Sequence, residues 1–125
     1  MAAEKLTILR GPTEVPIDGL LEKKVSLIGY GNQGRSHALN LRDSGIEIVI
    51  ATRTVQNATN DNFEVVTIAE AATADLVIIA LPDEIQAEIY HEQILPSLNP
   101  NAVLGFIHGL SIHYGQIVPP PQIGV

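Results

Sequence analysis

From residue 24 onward, short unbroken apolar runs alternate with longer stretches of mixed polarity. The runs "KVSLIG", "IEIVIAT", "FEVVT", "DLVIIAL" and "NAVLGFIHG" each predict a strand. Between the first two, Gln33 to Ser44 predicts a helix, and Gly45 falls where a left-handed C-terminal cap is wanted. Thr67 and Glu70 form a T-x-x-E capping box, which predicts a short helix through Ala74. A further helix is predicted from Asp83 to about Leu95, with Ile85 and Ile89 four apart on one face. The polar segment "TVQNATNDN" is too short for a full crossover helix with its turns, and predicts a loop or a single turn.

Strands that are apolar throughout and separated by helices belong to a parallel sheet covered on both faces. The expected fold class is α/β: one Rossmann-type domain, a doubly wound parallel sheet in three α/β/α layers. Residues 1–20 include "RGPTEVPIDG" and predict an irregular lead-in, which leaves 21–125 for the domain. At the other end, "IVPPPQIGV" can begin a strand but not finish it, and its three prolines read as a stiff turn.

Composition narrows the partners. At 125 residues, nearly half of them apolar, the chain has enough material for a single core. Every Lys and Arg lies at or before Arg53, whereas Thr54 to Val125 holds eight acids and no base, within a net charge of −7. Either solvated helix faces explain this asymmetry, or Arg35 and Arg53 sit where an anionic cofactor arrives. An acidic chain does not hold a nucleic-acid backbone by counterion release, so nucleic acid is set aside. No apolar run approaches a membrane span, and the N-terminus lacks the basic-then-apolar order of a secretory signal, so the expected location is cytoplasmic. The absence of cysteine excludes disulfides and thiolate metal sites.

The chemistry concentrates in "LIGYGNQGRSHALNL". Gly29-Tyr30-Gly31-Asn32-Gln33-Gly34 matches G-x-G-x-x-G directly after a predicted strand and at the start of a predicted helix. Gly29 suits the tight turn, Gly31 lets the backbone approach a pyrophosphate, and Gly34 lets the helix pack close to the sheet. Free N–H groups at the helix start, together with the positive end of its dipole, make an anion site. About 20 residues on, where an acid would read an adenosine ribose, the chain has Ala51-Thr52-Arg53. An Arg at that place suits a 2′-phosphate, with Thr54, Asn57 and Thr59 as further donors, which favours NADP over NAD. The alternative is an Arg53 that merely snorkels at a strand end.

Three segments, "GYGNQGRSHALNLRDSG", "LPDEIQAEIYHEQILPSLNP" and "FIHGLSIHYGQIVPP", together resemble ketol-acid reductoisomerase (acetohydroxy acid isomeroreductase) from about Leu20 to Pro120. That family converts acetohydroxy acids to dihydroxy acids in branched-chain amino-acid synthesis, by a Mg²⁺-dependent alkyl shift and reduction by NADPH. The resemblance implies that Tyr30, Gly31, Asn32 and Gln33 hold the cofactor phosphates and that Arg53 meets the 2′-phosphate. It implies that Asp83, Glu84, Ile85 and Gln86 line the cofactor and that His108 is the catalytic histidine. An imidazole at a strand's carboxyl end is well placed for that work, because ligands collect there in open α/β sheets.

Two departures stand out. The loop after Arg53 is several residues shorter than the family's usual one, and the family's 2′-phosphate serines have no counterpart. The helical domain whose carboxylates bind metal in the family has no counterpart here, so no metal site is expected within the chain. The adjacent Asp83 and Glu84 read as helix-capping residues, and His108 and His113 as groups on opposite faces of a strand. His37 and His91 read as surface or packing residues. The expectation is cofactor binding without full turnover, with a homo-oligomer and a helical partner domain or chain. The alternatives are a non-catalytic NADP-binding module and a small NADPH-dependent reductase of the imine-reducing or β-hydroxyacid type.

Overall fold

The computed structural model describes residues 7–125. Five parallel strands lie in the order β3-β2-β1-β4-β5: β1 (Val25–Ile28), β2 (Ile48–Ala51), β3 (Glu64–Val65), β4 (Leu76–Ile79) and β5 (Val103–Phe106). The chain starts at the centre, works outward to β3, then returns across the sheet to β4. The strand order therefore reverses between β1 and β4, the switch point at which a crevice opens in folds of this kind.

Alternation along the strands builds a core on each face. Val25 and Leu27 of β1 join Ile48, Ile50, Ala38 and Phe63 on one side. Ile28 joins Val77, Ile79, Tyr90, Ile94 and Leu104 on the other. All four residues of β1 are buried, as expected of a central strand covered twice. Its one polar member, Ser26, donates its hydroxyl to the Ala71 carbonyl at 2.7 Å and so costs no unsatisfied group. Full burial of a side chain such as Leu27 stabilises by about 1.5–3 kcal/mol.

The helix α3 (Asn32–Asp43) follows β1 and starts one residue earlier than expected. It ends in a Schellman motif, with Ile46 donating to Leu41, Gly45 to Arg42, and Gly45 at φ +85°. Thr67 and Glu70 make both bonds of the capping box that opens α5 (Ile68–Ala72).

Several expectations differ from the structure. The segment after Arg53 is neither loop nor single turn but a six-residue helix, α4 (Val55–Asn60). Tertiary burial of Ala58 and an i,i+4 bond from Gln56 to Asn60 support it, outweighing a composition that favours turns. The lead-in also contains two short helical turns, α1 (Gly11–Glu14) and α2 (Asp18–Leu21), although 1–6 lie outside the described residues. The helix α6 (Asp83–Ile89) runs on as a π turn (Tyr90–Ile94) and a 3₁₀ turn (Leu95–Ser97), where Pro96 has no N–H for a regular bond. A four-residue helix, α7 (Leu110–His113), follows β5, so His113 is helical rather than in a strand. Gly124 then forms a parallel bridge to Val103, the first contact of a further strand position.

Candidate functional site

A cleft of about 730 Å³ opens at the carboxyl ends of β1, β2, β4 and β5. Its floor is the turn from β1 into α3. Gly29 sits at φ +99°, and a Cβ there would lie 2.6 Å from the Ala80 carbonyl oxygen, so the turn excludes every other residue. A Cβ at Gly34 would stand 2.9 Å from the Gly29 oxygen and 3.2 Å from the Ala80 Cβ, which is the close packing of helix on sheet.

Gly31 is different. Its backbone is extended (φ −82°, ψ −167°), and a Cβ there would meet no protein atom within 4 Å. Neither conformation nor packing requires glycine at this position. What its bareness leaves open is the cleft itself, at the N-cap of the twelve-residue α3, where no side chain caps the helix. The first N–H groups of α3 and the positive end of its dipole face that space.

Arg53 and Thr54 line the cleft beyond the end of β2, and no acid accompanies them on that wall. Arg53 is exposed and forms no ion pair among the described residues. Thr54 is held by Thr52, whose hydroxyl accepts from the Thr54 N–H at 3.1 Å and lies 3.0 Å from the Thr54 hydroxyl. Asn57 faces an adjoining hollow of about 530 Å³, together with Tyr30, Gly31, Asn32, Arg35 and Asp61. The hydroxyl of Thr59 is bonded back to the Val55 carbonyl at 2.9 Å inside α4.

On the opposite wall stand Leu81, Pro82, Ile85 and Ile89, with Ile107 and the exposed His108 just past β5. Of the four residues Asp83 to Gln86, only Ile85 lines the cleft. Gln86 turns inward, 1 % exposed, and donates to the Leu81 carbonyl at 3.2 Å. One carboxylate oxygen of Asp83 is buried without a partner, and Glu84 is exposed.

The clearest surprise is Tyr30. It lines both the cleft and the adjoining hollow, but it is not a surface aromatic. It is 6 % exposed, sits edge-on to Phe63, and donates its hydroxyl to Asp61 at 2.6 Å. Asp61 also accepts from Arg35 at 2.7 and 3.1 Å, while Arg42 bonds its carbonyl and lies over the Phe63 ring. Burial, reinforced by the neighbouring carboxylate, pushes the Tyr30 hydroxyl up to about 12. The Arg35 hydrogen bonds, then that of Tyr30, hold the Asp61 carboxyl down at about 2. Reading α4 as a helix is the signal that would have found this cluster, because Asn57 and Asp61, four apart, then share one side. Ile68, Ile89, Gln93 and Ile107 also line the cleft, and none of them was among the expected site residues.

Residues 19–125 match the family described as the NADPH-binding domain of acetohydroxy acid isomeroreductase. The chain belongs to this family. The ketol-acid reductoisomerase (NADP(+)) of Methanococcus maripaludis strain C5 is 46 % identical over 118 residues, which covers 90 % of this chain and 36 % of that protein. The chain thus spans about a third of the length of the curated reductoisomerases it matches. The solved structure of an NADH-preferring ketol-acid reductoisomerase from an uncultured archean superimposes with TM-score 0.84 at 39 % identity, over 89 % of this chain and 37 % of that one. A semialdehyde dehydrogenase NAD-binding protein from Cupriavidus necator, solved with calcium and NAD, superimposes with TM-score 0.71 at 25 % identity, over 82 % and 39 %. The parallel five-stranded α/β sheet and the isomeroreductase family therefore stand together. Among the described residues no three His, Asp or Glu side chains converge on a metal position, and no helix is long and apolar enough to cross a membrane.

Proposed function

We propose that the chain binds NADPH across the switch point and serves as the cofactor half of an acetohydroxy acid isomeroreductase. The observation that carries this reading is Gly31: a bare position at an uncapped helix start, with no protein atom to explain its bareness. The backbone N–H groups from Asn32 to Gly34 would take the pyrophosphate. Arg53, with Thr54 and Asn57, would take the 2′-phosphate, and Ile85 and Ile89 would face the nicotinamide end. When bound, the cofactor supplies a hydride for the reduction. His108, exposed at the same rim, would hold or deliver a proton at a ring nitrogen beside the reacting carbon.

In this reading residues 21–125 are the cofactor domain, and Mg²⁺ carboxylates come from a helical domain or chain outside the described residues. The acetohydroxy acid specificity and the homo-oligomeric state belong to the same proposal. A second reading has NADH as the preferred cofactor. It is favoured by the single cation beside the ribose position and by the NADH-preferring relative.

Calorimetric titration of the 125-residue chain with NADPH and NADH is the test. NADPH is expected to bind more tightly. Gly31→Ala is expected to weaken both nucleotides on the order of tenfold or more, because its Cβ occupies phosphate space. The same variant should shift stability by no more than about 1 kcal/mol at an N-cap. Unaltered binding by Gly31→Ala would remove the main support for the proposal.

A further inference from the structure

The hollow beside Arg53 contains a second arginine that is already engaged. Arg35, the first residue after the glycine motif, points into the space shared with Thr54, Asn57 and Asn60. There it could add a second cation for a phosphate on the ribose. Instead both its Nε and a terminal nitrogen are bonded to the Asp61 carboxylate, at 2.7 and 3.1 Å. The same carboxylate accepts the Tyr30 hydroxyl at 2.6 Å. Among the described residues this is the only ion pair, and it stands in the wall of the hollow with Arg35 about half-exposed.

We propose that Asp61 is a positioning residue that limits preference for the 2′-phosphorylated cofactor, by neutralising Arg35 and placing a carboxylate at the rim of the ribose pocket. The inference rests on the cofactor reading above. Two effects act in one direction. The bidentate pair holds Arg35 away from an incoming phosphate, and the carboxylate itself repels a dianion. Arg53 is then the only cation lining the wall that is not already paired among the described residues. A third effect is separate: by holding Tyr30, Asp61 steadies the residue between Gly29 and Gly31, which matters equally for either nucleotide. Asp61 stays ionised throughout the neutral range because Arg35 and Tyr30 favour the charged form. The limit it sets is therefore constant rather than switched by pH.

The test uses the full chain, with adenosine 2′,5′-bisphosphate and 5′-AMP as probes of the adenosine end, beside NADPH and NADH. In Asp61→Asn the preference for the 2′-phosphorylated member of each pair is expected to rise about three- to tenfold, a modest factor because the guanidinium is largely solvated. Affinity for 5′-AMP should stay level or fall slightly. The double variant Asp61→Asn, Arg35→Gln should lose most of that gain, keeping only the part that comes from removing the carboxylate itself. Urea melts of the variants keep folding separate from binding. A folded Asp61→Asn chain with unchanged or reduced preference overturns the assignment, as does a gain that survives the loss of Arg35 in full. A wild-type chain that binds none of the four nucleotides overturns the cofactor reading and this inference together.

Discussion

The two ends of the sheet each carry a hollow, and the one at the amino ends is the larger. It measures about 850 Å³, against about 730 Å³ for the cleft at the carboxyl ends. It also has more cations in its wall, with Lys23, Lys24 and Arg42, but Glu22, Glu47, Glu64 and Glu70 lie among them. Size and cation content would select the wrong end. What separates the two is the direction of the helices. Gly45 and Ile46, just past the C-terminus of α3, border the amino-end hollow, and so do Thr73 and Ala74 past α5. Their carbonyls and the negative ends of their dipoles face any ligand there. At the carboxyl end the long α3 presents open N–H groups over a glycine that nothing in the protein fills. The neighbouring α5 start is closed by its own Thr67 and Glu70. The direction of α3, not size or cation content, marks the carboxyl end.

The largest expected effect tests whether that place depends on the fold of the turn. Gly29→Ala would put a Cβ 2.6 Å from the Ala80 carbonyl oxygen in a left-handed conformation. A loss of about 3 kcal/mol or more in a urea melt is expected, far above the cost at Gly31. The pair of variants separates a glycine the fold needs from one the ligand needs. Equal losses of stability in both would collapse that distinction.

Next in size is Arg53→Gln. Removal of the Arg53 guanidinium from the cleft wall is expected to weaken NADPH about tenfold and NADH less than twofold. Asp61→Asn shifts the same ratio the opposite way, so the two variants bracket the ribose pocket. An Arg53→Gln chain with its discrimination intact would assign that residue to the surface, the snorkelling alternative.

Much of this was readable from residues in order. The buried runs of β1, β2 and β4 and the capping box at Thr67 follow from period and local hydrogen bonding, so they survive folding nearly unaltered. The glycine turn was readable from its spacing alone, although the close contacts that require Gly29 and Gly34 include Ala80, just past β4 and far along the chain. The short helix α4 was not, since its support is the tertiary burial of Ala58 rather than propensity. With α4 missing, the partnership of Asp61, Tyr30 and Arg35 could not be seen. The inward turn of Gln86 was equally hidden: a helix face is set by the packing of α6 on the sheet, which the order of residues does not display.

The smallest expected effect is the one that most directly tests the contrast between the two hollows. The double variant Lys23→Gln, Lys24→Gln removes two cations from the wall of the larger hollow and raises the net negative charge. Both lysines are exposed, and among the described residues neither side chain is bonded, the Lys24 backbone N–H alone donating to Asp75, so the fold should persist. If bare positive charge draws the cofactor, NADPH affinity should fall about as much as it does in Arg53→Gln. If helix direction and the open glycine decide, titration should find NADPH affinity within about twofold of the starting value at physiological salt. That small residue is all that long-range screening allows for charges at the far end of the sheet. A tenfold loss would locate the anion site at the amino ends and reverse the comparison.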